Sequence, residues 1–285
     1  MSGLIHLALD ALNYTSVLLL VSIGLVIVFG MMQVINLAHG EFFLVGAYTV
    51  LVFQGLGVPF WLTLPLAFVT AGLLGVICDA AVLRFMYHRP ADTILATWGL
   101  SLAIRQAIVI IFGPNSQQIV APLTEPVSIL GLSYSAYRLA IIVIAIAVAA
   151  AVFLVLYRTS IGLAARAAMV NRPMAQCLGI NTRRLDRIAF STGAALAGFS
   201  GAVMAPLMSV DPQMGMGFVL PAFLSILVGG VGSPAGAIWG SVVIGGSTTV
   251  AASVWTPVIA QIIVFSLSIA IIRFLPAGLS GLRRK

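Results

Sequence analysis

The sequence predicts an all-α fold, a polytopic transmembrane helical bundle forming a single domain over residues 1–285. Three observations carry that expectation. The chain is 61% hydrophobic and 7% charged, with a mean hydropathy of +1.16. Soluble domains carry about 25% charged residues, and a chain this apolar cannot hide its surface and still face water. Apolar runs near the length that crosses a hydrocarbon core, about 20 residues, recur from end to end. The basic residues gather between those runs, so the net charge of +7 and the pI near 10.1 read as basic cytoplasmic loops. In a soluble chain the same surplus would point to nucleic acid; here no nucleic-acid partner is expected.

In chain order the spans fall at about 12–35, 42–58, 60–83, 93–112, 139–157 and 188–208. A shorter pair follows at 218–231 and 236–252, and a last span at 255–275. The short pair, joined by "GGVGSPAG", reads either as two short crossings or as a re-entrant hairpin, giving eight to nine apolar segments. The stretch 158–187 holds Arg158, Arg166, Arg172, Arg183, Arg184 and Arg187 against Asp186 and is expected in the cytoplasm. Arg84, Arg89 and the tail Arg283, Arg284, Lys285 follow it there, which puts the C-terminus inside and the N-terminus and 113–138 outside. No basic residue precedes the first apolar run, so no cleaved signal peptide is expected.

Several chemistries are missing. Lys285 is the only lysine, so the chain holds no G-x-x-x-x-G-K-[ST] phosphate loop, and any ATP used with it binds another polypeptide. Neither H-E-x-x-H nor G-x-S-x-G is present, and Cys78 and Cys177 imply neither a disulfide framework nor a metal site. No catalytic, cofactor-binding or metal-binding residue is expected.

Five features stand out. In "VINLAHGEFFLVGAY", residues 34–48, Asn36, His39 and Glu41 crowd together in a chain with seven acidic residues and three histidines. The charge map places them at the cytoplasmic end of the first two spans, as a surface turn with Gly40, where Glu41 favours the next helix's N-terminus. The alternative is a helix break that keeps its polar groups inside the bundle. In the fourth span Thr93, Thr97, Ser101 and Arg105 recur every four residues and drift about 40° per step, one polar stripe. A lipid-facing Arg105 is disfavoured; it snorkels, packs against a helix, or lines a solute path. In the sixth span Gly193, Ala197 and Gly201 form a small-residue row, with Ala194, Gly198 and Ala202 beside it, suited to close helix packing. The glycines of "VGGVGSPAGAIWG" mark a binding region or a tight turn between packed helices. Finally, 158–187 is too long for a plain connector. It reads as a helix over 162–170, a break at "NRP", a second short helix with Pro173 in its first turn, and an end near Gly179. Its alternatives are positive-inside anchoring and a docking surface for a cytoplasmic partner.

"INLAHGEFFLVGAY", "GLAARAAMVNRPMAQCLGIN", "AFSTGAALAGFSGAV", "LVGGVGSPAGAIWG" and "LPAGL" together resemble the permease subunits of branched-chain amino acid-type ABC importers, over about residues 12–280. The resemblance implies a bacterial inner-membrane importer with two cytoplasmic ATPase subunits that hold ATP and Mg, a second related permease as hetero- or homodimer, and an external substrate-binding protein. It makes 158–187 the ATPase-coupling loop, with Arg166, Ala168, Asn171, Ala175, Gly179 and Asn181 as its candidate residues. The "EAA" phrase of many importer permeases is degenerate here, since "RAA" at 166–168 has its next Gly at 179. The family implies branched-chain or hydrophobic amino acids as cargo. "ILATWGLSLAIRQ", "FGPN" and "NRPMAQCLGI" look closer to its urea and short-chain amide members. Two other classes stay open: a passive channel or secondary transporter, expected to bury a charge pair at mid-membrane, and a structural subunit of a larger complex.

Overall fold

The computed structural model describes residues 2–86, 89–123, 125–129 and 132–284. Lys285 therefore lies outside the described residues. Helix α1 (Ser2–Met32) is the longest, and it stops although neither glycine nor proline follows it directly. Gln33 ends it, in the left-handed region at φ 53°, with its amide donating to the Phe29 carbonyl (2.8 Å). Residues 33–38 are not helical. Asn36 then starts α2 (His39–Gly55), because its Oδ1 accepts the Ala38 amide (3.0 Å) in an Asx turn. Pro59 precedes α3 (Phe60–Ala81), and Pro90 opens α4 (Pro90–Phe112), where its missing N–H is harmless. Gly113 ends α4 with φ 83°.

The stretch 113–138, which the sequence reads only as hydrophilic, contains an antiparallel hairpin, β1 (Pro126–Ile129) with β2 (Leu132–Ser135). Helix α5 (Ala136–Arg158) leads into the arginine-rich stretch. There α6 (Ser160–Val170) is capped by Thr159 and α7 (Arg172–Cys177) by Asn171. Helix α7 closes in a Schellman turn: Ile180 N–H donates to the Ala175 carbonyl and Gly179 N–H to that of Gln176, with Gly179 at φ 81°. Asn181 caps α8 (Thr182–Met204), so the last residues of the expected loop are the first turns of the next helix. Helices α9 (Met216–Gly229), α10 (Pro234–Val254) and α11 (Pro257–Phe274) complete the chain.

Among the described residues, seven helices are long and apolar enough to cross a membrane: α1, α3, α4, α5, α8, α10 and α11. The protein is a multi-pass membrane protein. The nine predicted segments all appear as helices, with shifted ends; the first begins ten residues earlier than expected. Two of them, α2 and α9, are short, with 17 and 14 residues.

Helix α8 is the hub, wedged among α1, α2 and α3. Its small-residue rows explain how. A Cβ on Gly193 would sit 2.8 Å from the Gly24 carbonyl of α1, and one on Gly201 would overlap the Phe43 carbonyl of α2. Gly198 meets Ala71 of α3, and Ala197 is fully buried. The "VGGVGSPAG" segment is a tight turn between packed α9 and α10, where Gly229 and Gly236 touch backbone to backbone and Ser233 accepts the Gly236 amide.

The two short helices do not span the bundle. The His39 ring bonds the Val21 carbonyl (3.2 Å), and Val21 lies about 16 Å back along α1 from Met32 at the standard rise. Residues 33–38, which reach about 20 Å when extended, climb back along α1, and α2 starts at mid-height. Gly215, just before α9, packs on Gly40, while Gly232, just after it, lies beside Gly30 near the end of α1. Helix α9 thus runs from mid-height to the arginine-rich end, with about 21 Å of rise. The N-termini of two half-length helices meet inside the protein.

Candidate functional site

The surface-turn placement of Asn36, His39, Gly40 and Glu41 does not describe the structure. All four are buried, Glu41 to 2% exposure and His39 to 0%. The sequence offers no breaker between Met32 and His39, so the turn looks like an ordinary short loop; the climb back along α1 is a tertiary feature.

What faces this break is the polar stripe of α4. The Thr97 hydroxyl accepts the Leu37 amide (3.3 Å) and donates to the Ile94 carbonyl (3.0 Å). One turn on, Ser101 donates to Glu41 Oε1 (2.9 Å). One turn further, Arg105 forms a salt bridge to the same oxygen and also reaches Ser101 Oγ (3.3 Å). Thr93 stays local, donating to the carbonyls of Arg89 (2.9 Å) and Met86 (3.0 Å). A four-residue period on one helix therefore matches a single polar stretch 60 residues earlier. Asp79 of α3 accepts from Arg187 Nε (3.1 Å) towards the arginine-rich end.

Three buried polar atoms around the break have no hydrogen-bond partner among the described residues, His39 Nδ1, Glu41 Oε2 and Arg105 Nε, and Tyr48 Oη, further along α2 beside Phe112, is another. Buried polar groups are nearly always satisfied, by protein or by ordered water, so these atoms keep free hydrogen-bonding capacity inside the bundle. Glu41 is sealed, but the Arg105 side chain is 20% exposed. It opens on a cleft of about 640 Å³, shared with Gln106, Ser116, Asp211 and Gln213, that faces the end away from the arginines. A second ion pair ties that far end together: Arg138 of α5 donates to Asp10 of α1 (2.6 Å), and Tyr134 joins them (3.1 Å).

At the arginine-rich end, Arg172 forms a two-pronged salt bridge to Asp186 and donates to the Met31 carbonyl (3.2 Å). That bond ties α6–α7 to the last turn of α1, next to the start of the break. Among the coupling candidates, Ala168 and Ala175 point inward and Arg166 lies over the Tyr157 ring. Asn171 and Asn181 are helix caps, and Gly179 serves the α7 turn.

With this geometry in view, the comparison with known proteins decides the class. The model of the family described as "Branched-chain amino acid transport system / permease component" matches residues 7–272. The chain belongs to this family. It is a transport permease component and not an enzyme. It is 26% identical to the high-affinity branched-chain amino acid transport system permease protein BraD of Pseudomonas aeruginosa, covering 95% of this chain and 94% of the relative. It is 28% identical to the probable branched-chain amino acid transport permease protein LivH of Methanocaldococcus jannaschii, covering 82% and 76%. It is also 27% identical to the high-affinity permease protein LivM of Escherichia coli, covering 82% of this chain and 61% of the relative. LivH and LivM are two differently named permease proteins of such systems, and this permease resembles both.

The structure adds residues that the sequence did not single out. Val170 at the end of α6, and Met174 and Leu178 one turn apart at α7, are 85%, 58% and 73% exposed at the most charged end of the permease. Their signal is legible only after the helices are placed: an apolar row beside arginines and facing outward.

Proposed function

We propose that this permease is one of two permease subunits of an ATP-driven importer that carries branched-chain or other hydrophobic amino acids across a bacterial inner membrane. The printed functions of its relatives support the cargo, and none of those reported above is named for urea or amides. Two separate ATPase subunits, holding ATP and Mg, supply the energy, since the chain's lone lysine lies at its end and forms no phosphate loop. A related permease completes the path, a role supported by the likeness to both LivH and LivM. An external binding protein delivers the solute. The arginine-rich end, with the C-terminus, faces the cytoplasm by the positive-inside rule.

One observation carries the mechanism: the Arg172 bond to Met31. The ATPases seat on the apolar row of α6–α7 and move it as they close. Arg172 passes that displacement to the end of α1 and so to residues 33–38. The far end of that segment holds His39 and Glu41, and Glu41 holds Arg105. The path past Asn36, His39, Glu41, Thr93, Thr97, Ser101 and Arg105 changes shape in step with ATP hydrolysis.

The test is uptake into proteoliposomes by the assembled transporter. ATP- and binding-protein-dependent uptake of leucine is expected, with none of urea. Uptake of leucine without ATP would reassign the chain to the channels and secondary transporters; ATP-driven uptake of urea would replace the cargo.

A further inference from the structure

The cleft above the buried ion pair carries both signs of charge, Arg105 and Asp211. We propose that it is a subsite for the charged head of an α-amino acid, with Arg105 receiving the carboxylate and Asp211 the ammonium. This rests on the importer reading above, in which the cleft faces the outside.

Arg105 is the group through which the sealed cluster reaches the cleft. Its Nη2 serves Glu41 and Ser101, while its Nε is buried without a partner in the protein. A guanidinium offers five donors in a planar fork that suits a carboxylate. Asp211 is presented from the segment before α9, with its Oδ1 held by the Gln213 amide (2.8 Å). Leu102 and Val109 of α4 give the cleft apolar wall for a hydrophobic side chain. Its volume of about 640 Å³ lies in the usual range for small-molecule sites. Beneath it, the N-termini of α2 and α9 meet at Gly40 and Gly215, and helix N-termini favour negative charge. The unpartnered Glu41 Oε2 and His39 Nδ1 lie further in. A solute carboxylate at Arg105 competes with Glu41 for the same guanidinium. When the solute wins, Glu41 is released to meet the ammonium as the solute moves inward.

The experiment is thiol protection in the assembled transporter, in nanodiscs, without binding protein. The chain carries Ser116→Cys in the cleft and Cys177→Ala to silence the exposed native thiol. L-leucine is expected to slow labelling by an impermeant maleimide. Leucinamide, which lacks the carboxylate, and 4-methylpentanoate, which lacks the ammonium, each need about tenfold more, the loss of one charged hydrogen bond. Arg105→Lys keeps the charge but loses the fork, and Asp211→Asn keeps the acceptor to Gln213; each weakens leucine protection without changing the yield of complex. Labelling unchanged by leucine overturns the proposal, as does protection by leucinamide equal to that by leucine. The same preparations, given binding protein and ATP, report leucine uptake. Uptake without protection removes the subsite and leaves the importer; protection without uptake by any assembly keeps the subsite and removes the importer.

Discussion

Glu41 places a carboxylate where water does not reach, and its neighbours must compensate. Taking an ion out of water costs several kcal/mol even after relaxation, and a partner offsets this only with good geometry. Here Ser101 and Arg105 share one oxygen. Replacing Arg105 by Leu strands the charge, with an expected loss of about 3–5 kcal/mol. Replacing Glu41 and Arg105 together by Leu removes both charges and restores most of that loss, while transport stays low. Thermal midpoints of the purified complex check this; a double variant no more stable than the Arg105→Leu single would show that the pair is not coupled. At this scale the sequence was partly legible. Scarcity marked Glu41, one of seven acidic residues and set between apolar runs, and the four-residue polar stripe within an apolar span marked Arg105. Their partnership was not legible, because a contact across 64 residues depends on how the helices pack.

Helices are more readable than contacts, and glycines show why. Apolar length located nine segments that are all helical, of which seven are long and apolar enough to cross a membrane. The end of α1 was missed because Gln33, Val34 and Ile35 give no breaker signal, and the Asx turn at Asn36 needs only one side chain. The small-residue row of α8 was read as a packing face, yet which helix each glycine meets follows from the bundle. Gly201 faces the Phe43 carbonyl, whereas a Cβ on Gly246 of α10 would meet nothing within 4 Å. Gly201→Ala is therefore expected to destabilise by about 1–3 kcal/mol as an overpacked contact. Gly246→Ala should stabilise α10 by up to about 1 kcal/mol through helix propensity. Retention of monodisperse protein after heating separates the two. Equal behaviour would mean that α8 and α2 are not in backbone contact.

At the scale of the whole molecule, the arginine-rich end carries two kinds of surface. Its arginines are common to cytoplasmic loops and say little about a partner. The row Val170, Met174 and Leu178 is different, because apolar groups exposed among charges leave water only by being covered. A lipid surface would cover such a row through a flanking hydrophobic helix face, but α7 is six residues long and is held by Asn171 and Gly179 in a fixed turn. A protein groove fits that rigid, short element better. Met174→Glu with Leu178→Glu adds two charges at exposed positions, so the permease should still insert and fold. Copurification of the ATPases should fall by more than about tenfold, since burying unpaired carboxylates costs well over 1.4 kcal/mol. Met174→Gln at the same place should lose less. Full ATPase recovery with the double glutamate variant would move the docking surface off α7, and with it the route by which Arg172 carries motion to Met31 and the buried pair.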